Sequence, residues 1–212
     1  MANRRQSLTI LIVYFIIYAL PSLLIAIFKH LGSQVFLIQT LDYLIGAVLL
    51  AWLATRLSTP NPIERHPRRW PIALLWGLIG FVLVVIVQFI VLQIDQWLGH
   101  SVTSTNTSTL LTVGHQYPFF FLAIFIGAPI MEEIVFRKVI FGNLSSLTGP
   151  LGAALISSVF FSFAHADGHL VLYALIGLCF CWLYHRTGRI QTSMLAHILM
   201  NALAVMSAIY HF

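Results

Sequence analysis

Residues 71–94 read PIALLWGLIGFVLVVIVQFIVLQI. The run holds no charged side chain, and as one helix it crosses the roughly 30 Å hydrocarbon core of a bilayer. Similar apolar runs recur at 8–28, 35–55, 118–141, 151–166, 169–185 and 191–210. The pattern predicts an all-α polytopic membrane bundle of about seven transmembrane helices. Composition agrees: 59% of residues are hydrophobic and 8% charged, with a mean hydropathy of +0.93, whereas soluble domains carry roughly 25% charged residues. So few charges cannot cover a soluble surface. The first run follows Arg4 and Arg5, as a signal peptide would. It lacks a small-residue cleavage site and exceeds a signal core of about 7 to 15 residues, so it is read as a retained helix.

The net charge of +5 and pI near 9.6 come from basic residues in the short loops. They read as topology signals and not as a nucleic-acid footprint. With a cytoplasmic N-terminus, Arg4, Arg5, Arg56, Arg65, Arg68, Arg69, Arg137, Lys138, Arg186 and Arg189 all fall inside. Of the 11 basic residues only Lys29 falls outside. Seven spans then leave the C-terminus outside. Proline and glycine punctuate the connections at Pro60, Pro62, Pro67, Gly149, Pro150, Gly168 and Gly188. Asp95 to Tyr117, rich in Ser and Thr and without Lys or Arg, is expected to be an external loop. Cys179 and Cys181, spaced i,i+2, face nearly opposite sides of one helix and are expected to be packing or lipid-facing residues.

Two of the six acidic residues, Glu132 and Glu133, stand side by side within an apolar run, where ionisable groups cost roughly 2.5–3.5 kcal/mol each. In Met131-Glu132-Glu133-Ile134-Val135-Phe136-Arg137 the i,i+4 spacing sets Arg137 one turn from Glu133, while Glu132 points about 100° away. One carboxylate is thus paired within its helix and the other is available for chemistry. A buried salt-bridge network holding helices together is the competing account of these three residues. Two further histidines favour chemistry. His165 ends the run Phe161-Ser162-Phe163-Ala164-His165, and His197 with Asn201 lies at i,i+4 on one face of the last helix. Asp42, two turns into the second run, is expected to make a helix-to-helix hydrogen bond, and Asp167 and His169 flank Gly168 as turn residues.

The three motifs are EExxxR (Glu132, Glu133, Arg137), FxxxH (Phe161, His165) and HxxxN (His197, Asn201). In this order on successive apolar segments they resemble the CPBP family, the type II CAAX prenyl endopeptidases and the Abi bacteriocin-processing or self-immunity membrane proteases. The resemblance covers roughly residues 118–210 without departure at the motif positions. It divides one integral membrane domain into N-terminal helices and an external loop (1–117) and catalytic helices (118–212). It implies an intramembrane endopeptidase whose cavity opens to the cytoplasm, in a bacterial plasma membrane given the brevity of the chain and loops. In that family's terms Glu132 and His165 position and deprotonate the attacking water, with Glu132 the general base. His197 and Asn201 steady the oxyanion, and Glu133 with Arg137 fixes the first glutamate.

Glu132, His165 and His197 also have the donor types of a His2Glu zinc site with one open position. The cofactor is therefore either Zn or none. The expected partners are the lipid bilayer and a peptide or protein substrate: a CAAX protein, a bacteriocin leader or a peptide pheromone. A non-catalytic scaffold or immunity protein is the first rival, for which Glu132 would be dispensable. A proton-relay transporter is the second, disfavoured because the two halves show no inverted pattern of broken helices. Straight helices would put Glu132 and His165 at different depths. Residues 142–150 are therefore expected to form an elbow dipping into the bilayer before a short, protein-buried span.

Overall fold

The computed structural model describes residues 2–28, 32–56, 61–101, 105–165 and 168–210. Lys29, Pro60 and Asp167 lie outside the described residues. The chain is all α, beginning with α1 (Ala2–Ile27), α2 (Gln34–Arg56) and α3 (Trp70–Trp97). Next come α4 (Thr105–Gln116), α5 (118–141), α6 (Gly142–His165), α7 (Leu170–Thr187) and α8 (Ile190–Tyr210). Six stretches are long and apolar enough to cross a bilayer, and the longest, Pro118–His165 with 48 residues, comprises α5 and α6. The expected loop at 95–117 is instead the end of α3, a turn and the helix α4.

The turning point of the longest stretch is Gly149, whose φ of 73° and ψ of 167° fall outside helical space and suit a residue without Cβ. Pro150 follows and opens the returning arm. The expected elbow is therefore helical up to Gly149: the descending arm runs straight on through 142–148, about 10 Å further at 1.5 Å per residue. This extra length resolves the depth problem. It lets α6 rise from far enough below that Phe161 packs edge-on against Phe136 at 5.3 Å, and Ser157 Oγ donates to the Phe136 carbonyl at 2.6 Å. Folded back at Gly149, the six stretches make seven helical arms.

Helix α5 is composite. A 3-10 turn (Pro118–Phe120) leads to a π-helical segment (Ala123–Gly127), an α-helical turn (Ala128–Glu132) and a second π-helical segment (Glu133–Phe141). In the first π segment Ala128 N–H reaches back to Ala123 O. The next bond of that i→i+5 ladder would come from Pro129, which has no N–H. The Ile124 carbonyl is left over, and Asn201 of α8 donates Nδ2–H to it at 3.1 Å. In a protein interior in hydrocarbon such a carbonyl must find a donor.

Helix α3 packs against α7 and α8 through a pair of glycines. A Cβ on Gly77 would meet Leu195 Cδ2 at 2.8 Å, and one on Gly80 would collide with Leu183. Small residues at such positions let helix backbones approach where no water drives association. At the end of the bundle carrying Arg56, Arg65, Arg68, Arg69, Arg186 and Arg189, buried Asn61 ties the connections together. Its Oδ1 accepts from Ile63 N and Glu64 N at 3.0 and 3.3 Å, and its Nδ2 donates to Tyr184 OH at 2.8 Å. Lys138 is more than a topology signal, since its Nζ binds both Glu64 oxygens at 2.6 and 2.7 Å. Asp42 does not make the expected hydrogen bond through Oδ2, which is buried without a partner. Cys181 is a buried packing residue and Cys179 is half-buried.

Candidate active site

Glu133 and Arg137 lie wholly inside the bundle, both side chains 0% exposed, with Nε and Oε2 3.5 Å apart. No guanidinium nitrogen makes a hydrogen bond. Arg137 is instead enclosed by aromatic faces, its Cζ 4.2 Å from the Phe161 centroid and 5.1 Å from that of Phe180. A cation gains most from such faces when it is desolvated. The other Glu133 oxygen, Oε1, stands 3.0 Å from His197 Nδ1. An ionised carboxylate only accepts, so Nδ1–H is the donor and the hydrogen stays on that nitrogen.

This contact sets what His197 offers on its other edge. Nε2 faces Glu132 Oε2 at 3.7 Å, and Glu132 is 21% exposed while His197 is 3% exposed. The imidazole is held flat by Phe180, stacked on it at 4.6 Å and 24°, with Phe161 edge-on at 5.9 Å. Glu133 therefore holds His197, where Glu132 had been expected as its client. Asn201, expected as an oxyanion donor, spends one amide hydrogen on the Ile124 carbonyl.

His165 is fixed separately. Its Nδ1 lies 2.8 Å from the Phe161 carbonyl, which only accepts, and its ring stacks on Tyr173 at 3.9 Å and 23°. The motif residues come together around one cavity of about 860 Å³, lined by Glu132, His165, His197 and Asn201 among others. Within that group Glu132 and His197 approach to 3.7 Å. Sequence reasoning missed several wall residues: Tyr14, Tyr43, Gln39 and Gln88 from the first three helices, and His169, which also stands 3.8 Å from Asp95.

The donor types of Glu132, His165 and His197 suit zinc, but their placement does not. Among the described residues no three His, Cys, Asp or Glu side chains gather where one ion could bind them, and a catalytic zinc needs three protein ligands plus an open position.

The cavity lies above Glu132, towards the ends of α1, α3 and α8 farthest from the basic residues. Below it the bundle is closed by buried Phe136, Arg137, Phe141, Phe180 and Tyr184. A cytoplasmic N-terminus set by the positive residues and a cavity open to the cytoplasm therefore do not fit one orientation, and the second expectation is at odds with the first.

Residues 114–203 match the family model for type II CAAX prenyl endopeptidase Rce1-like proteins. The chain is 38% identical over 163 residues to the protein named "Putative membrane peptidase YdiL" of Bacillus subtilis (strain 168), covering 75% of this chain and 67% of that one. It is 30% identical to the membrane-embedded CAAX protease MroQ of Staphylococcus aureus (strain USA300), covering 94% and 87%. The UPF0177 protein YxdF of Lactococcus lactis subsp. lactis (strain IL1403) is 31% identical over 132 residues, covering 60% and 71%. No solved structure matches. With the three motifs converging on one intramembrane cavity, the chain belongs to the type II CAAX prenyl endopeptidase Rce1-like family of membrane proteases.

Proposed function

We propose that the protein hydrolyses a peptide bond of a membrane-associated peptide or protein, with Glu132 as the base that activates water. The observation that carries this is the 3.7 Å gap between Glu132 Oε2 and His197 Nε2 at the floor of the cavity. With Nδ1–H given to Glu133, Nε2 presents a lone pair, so the gap is bounded by two acceptors. A water seated there donates one hydrogen to each and turns an oxygen lone pair towards a carbonyl above it. Glu132 takes the proton as the C–O bond forms and returns it to the leaving amine nitrogen as the C–N bond breaks. Fixed Nδ1–H···carboxylate contacts of this kind keep an imidazole in one tautomer and orientation.

His165, whose Nδ1–H is given to the Phe161 carbonyl, polarises the scissile carbonyl only as an imidazolium, through Nε2–H. The remaining amide hydrogen of Asn201 is the other donor. Bacterial relatives support a plasma-membrane setting.

Glu132→Gln tests the proposal. The amide keeps size and shape but cannot take the proton, so turnover falls by roughly 10² to 10⁴. Removing a charge from hydrocarbon leaves the thermal melt no lower than that of the parent. Mass spectrometry of membranes from cells carrying the parent or Glu132→Gln identifies the peptide cleaved only by the parent. Purified protein in liposomes, with and without chelator, then gives its rate. Parental cleavage by Glu132→Gln would sink the assignment, and retained biological activity of that variant would favour a scaffold.

A further inference from the structure

We infer that the site works from the extracytoplasmic side: its substrate is a peptide segment that has already reached the outer half of the membrane. The inference rests on the protease reading for its chemistry, but its geometry is independent of it. Three observations converge.

The first is the position of the cavity along the helices. Taking the basic end as zero, Tyr43 is 13 residues from Arg56, about 20 Å up α2, and Gln88 is 18 residues from Trp70, about 27 Å up α3. Both line the cavity, as do Ser22 and Ile25 near the far end of α1 and Ser108 to Leu111 of α4. The opposite direction is closed by the Arg137 aromatic cage and by the Asn61, Glu64, Lys138 and Tyr184 network.

The second is charge. Arg56, Arg65, Arg68, Arg69, Lys138, Arg186 and Arg189 all stand at the closed end, whereas the described part of the open end holds no Lys or Arg. Positive residues within short loops stay in the cytoplasm. The closed end is therefore inside and the cavity faces out.

The third is the wall itself. It contains no Lys or Arg, and its carboxylate is Glu132. Tyrosines and glutamines make up much of its polar surface, groups that bind a peptide backbone and, through the ring faces, cations. A segment reaching this cavity must first have crossed the membrane, so a translocation step precedes cleavage.

The test uses single cysteines in the full chain and a membrane-impermeant maleimide, with the unsubstituted protein as blank for Cys179 and Cys181. Ser108→Cys and Ser22→Cys are labelled in intact cells to the level seen in detergent, and Arg65→Cys only after permeabilisation. Labelling of Arg65→Cys in intact cells with Ser108→Cys protected would overturn the inference. So would Ser22→Cys that resists the reagent from both faces while Ser108→Cys reacts, since the cavity would then not open there. The labelling needs no catalysis, so outward labelling with parental cleavage by Glu132→Gln would count against the protease chemistry and leave the orientation standing.

Discussion

The imidazole of His197 is fixed by two neighbours of different chemistry, the Glu133 carboxylate at Nδ1 and the flat face of Phe180, which leave Nε2 facing Glu132. Phe180 belongs to no motif, yet its ring sets the plane in which Nε2 points at the water site, and it also covers Arg137. Phe180→Leu removes the face while keeping most of the volume. It should lower kcat roughly 10-fold to 100-fold with little change in KM, because misplaced reacting groups cost about that much. In a His197→Ala background the same change should cost kcat almost nothing more. Equal losses in both backgrounds would make Phe180 a packing residue. Arg137 is argued by charge: Arg137→Ala leaves the buried Glu133 carboxylate with the His197 N–H but without its guanidinium partner, and breaking a buried pair costs roughly 3–5 kcal/mol. Detergent-solubilised Arg137→Ala that melts like the parent would show that the guanidinium does not offset Glu133.

Helix α5 shows how an element can put a motif residue to two uses. Pro129 withholds the N–H that the Ile124 carbonyl would have taken, and Asn201 supplies it from α8. Asn201→Ala should therefore lose about 1–3 kcal/mol of stability as well as rate. Pro129→Ala restores a local donor, so the double variant should regain much of the melt but not the rate. Failure to regain stability would mean that the Ile124 carbonyl was satisfied otherwise. At Gly149 a Cβ would meet open space, so Gly149→Ala isolates the backbone term of a positive φ with ψ near 180°, about 1–3 kcal/mol in thermal unfolding. The spans were legible because apolar length is a signal of composition, and the Glu133 with Arg137 pair because i,i+4 neighbours meet on any helix. The π-helical segments were not, since they arise from a missing N–H and from neighbours on α8. Nor was the Glu132 with His197 contact, because two helices distant in sequence fix it. The depth of the Gly149 turn was reached only by requiring Glu132 and His165 to share one site.

Across the whole molecule, the family match begins at residue 114, but the cavity does not. Helices α1 and α2 supply Tyr14, Tyr18, Gln39 and Tyr43 to the same wall as Glu132. A division at 117/118 therefore separates segments of sequence that share one site. Tyr14 makes the clearest case. Its ring stacks on Tyr18 at 6.1 Å and is 7% exposed, and Tyr14 and Tyr43 line the same cavity as Glu132. A phenol in the wall of that cavity can donate to the developing oxyanion, and hydrogen bonds to charged groups contribute about 1.5–3 kcal/mol. Tyr14→Phe should then lower kcat/KM by roughly 10-fold or more, with the melt near parental because the ring and its stacking remain. Tyr43→Phe should have a smaller effect in the same direction, and the two together should exceed either alone. The measurement is cleavage of the identified peptide in liposomes alongside the thermal melt. A parental rate for Tyr14→Phe would mean that α1 shapes the cavity without entering its chemistry.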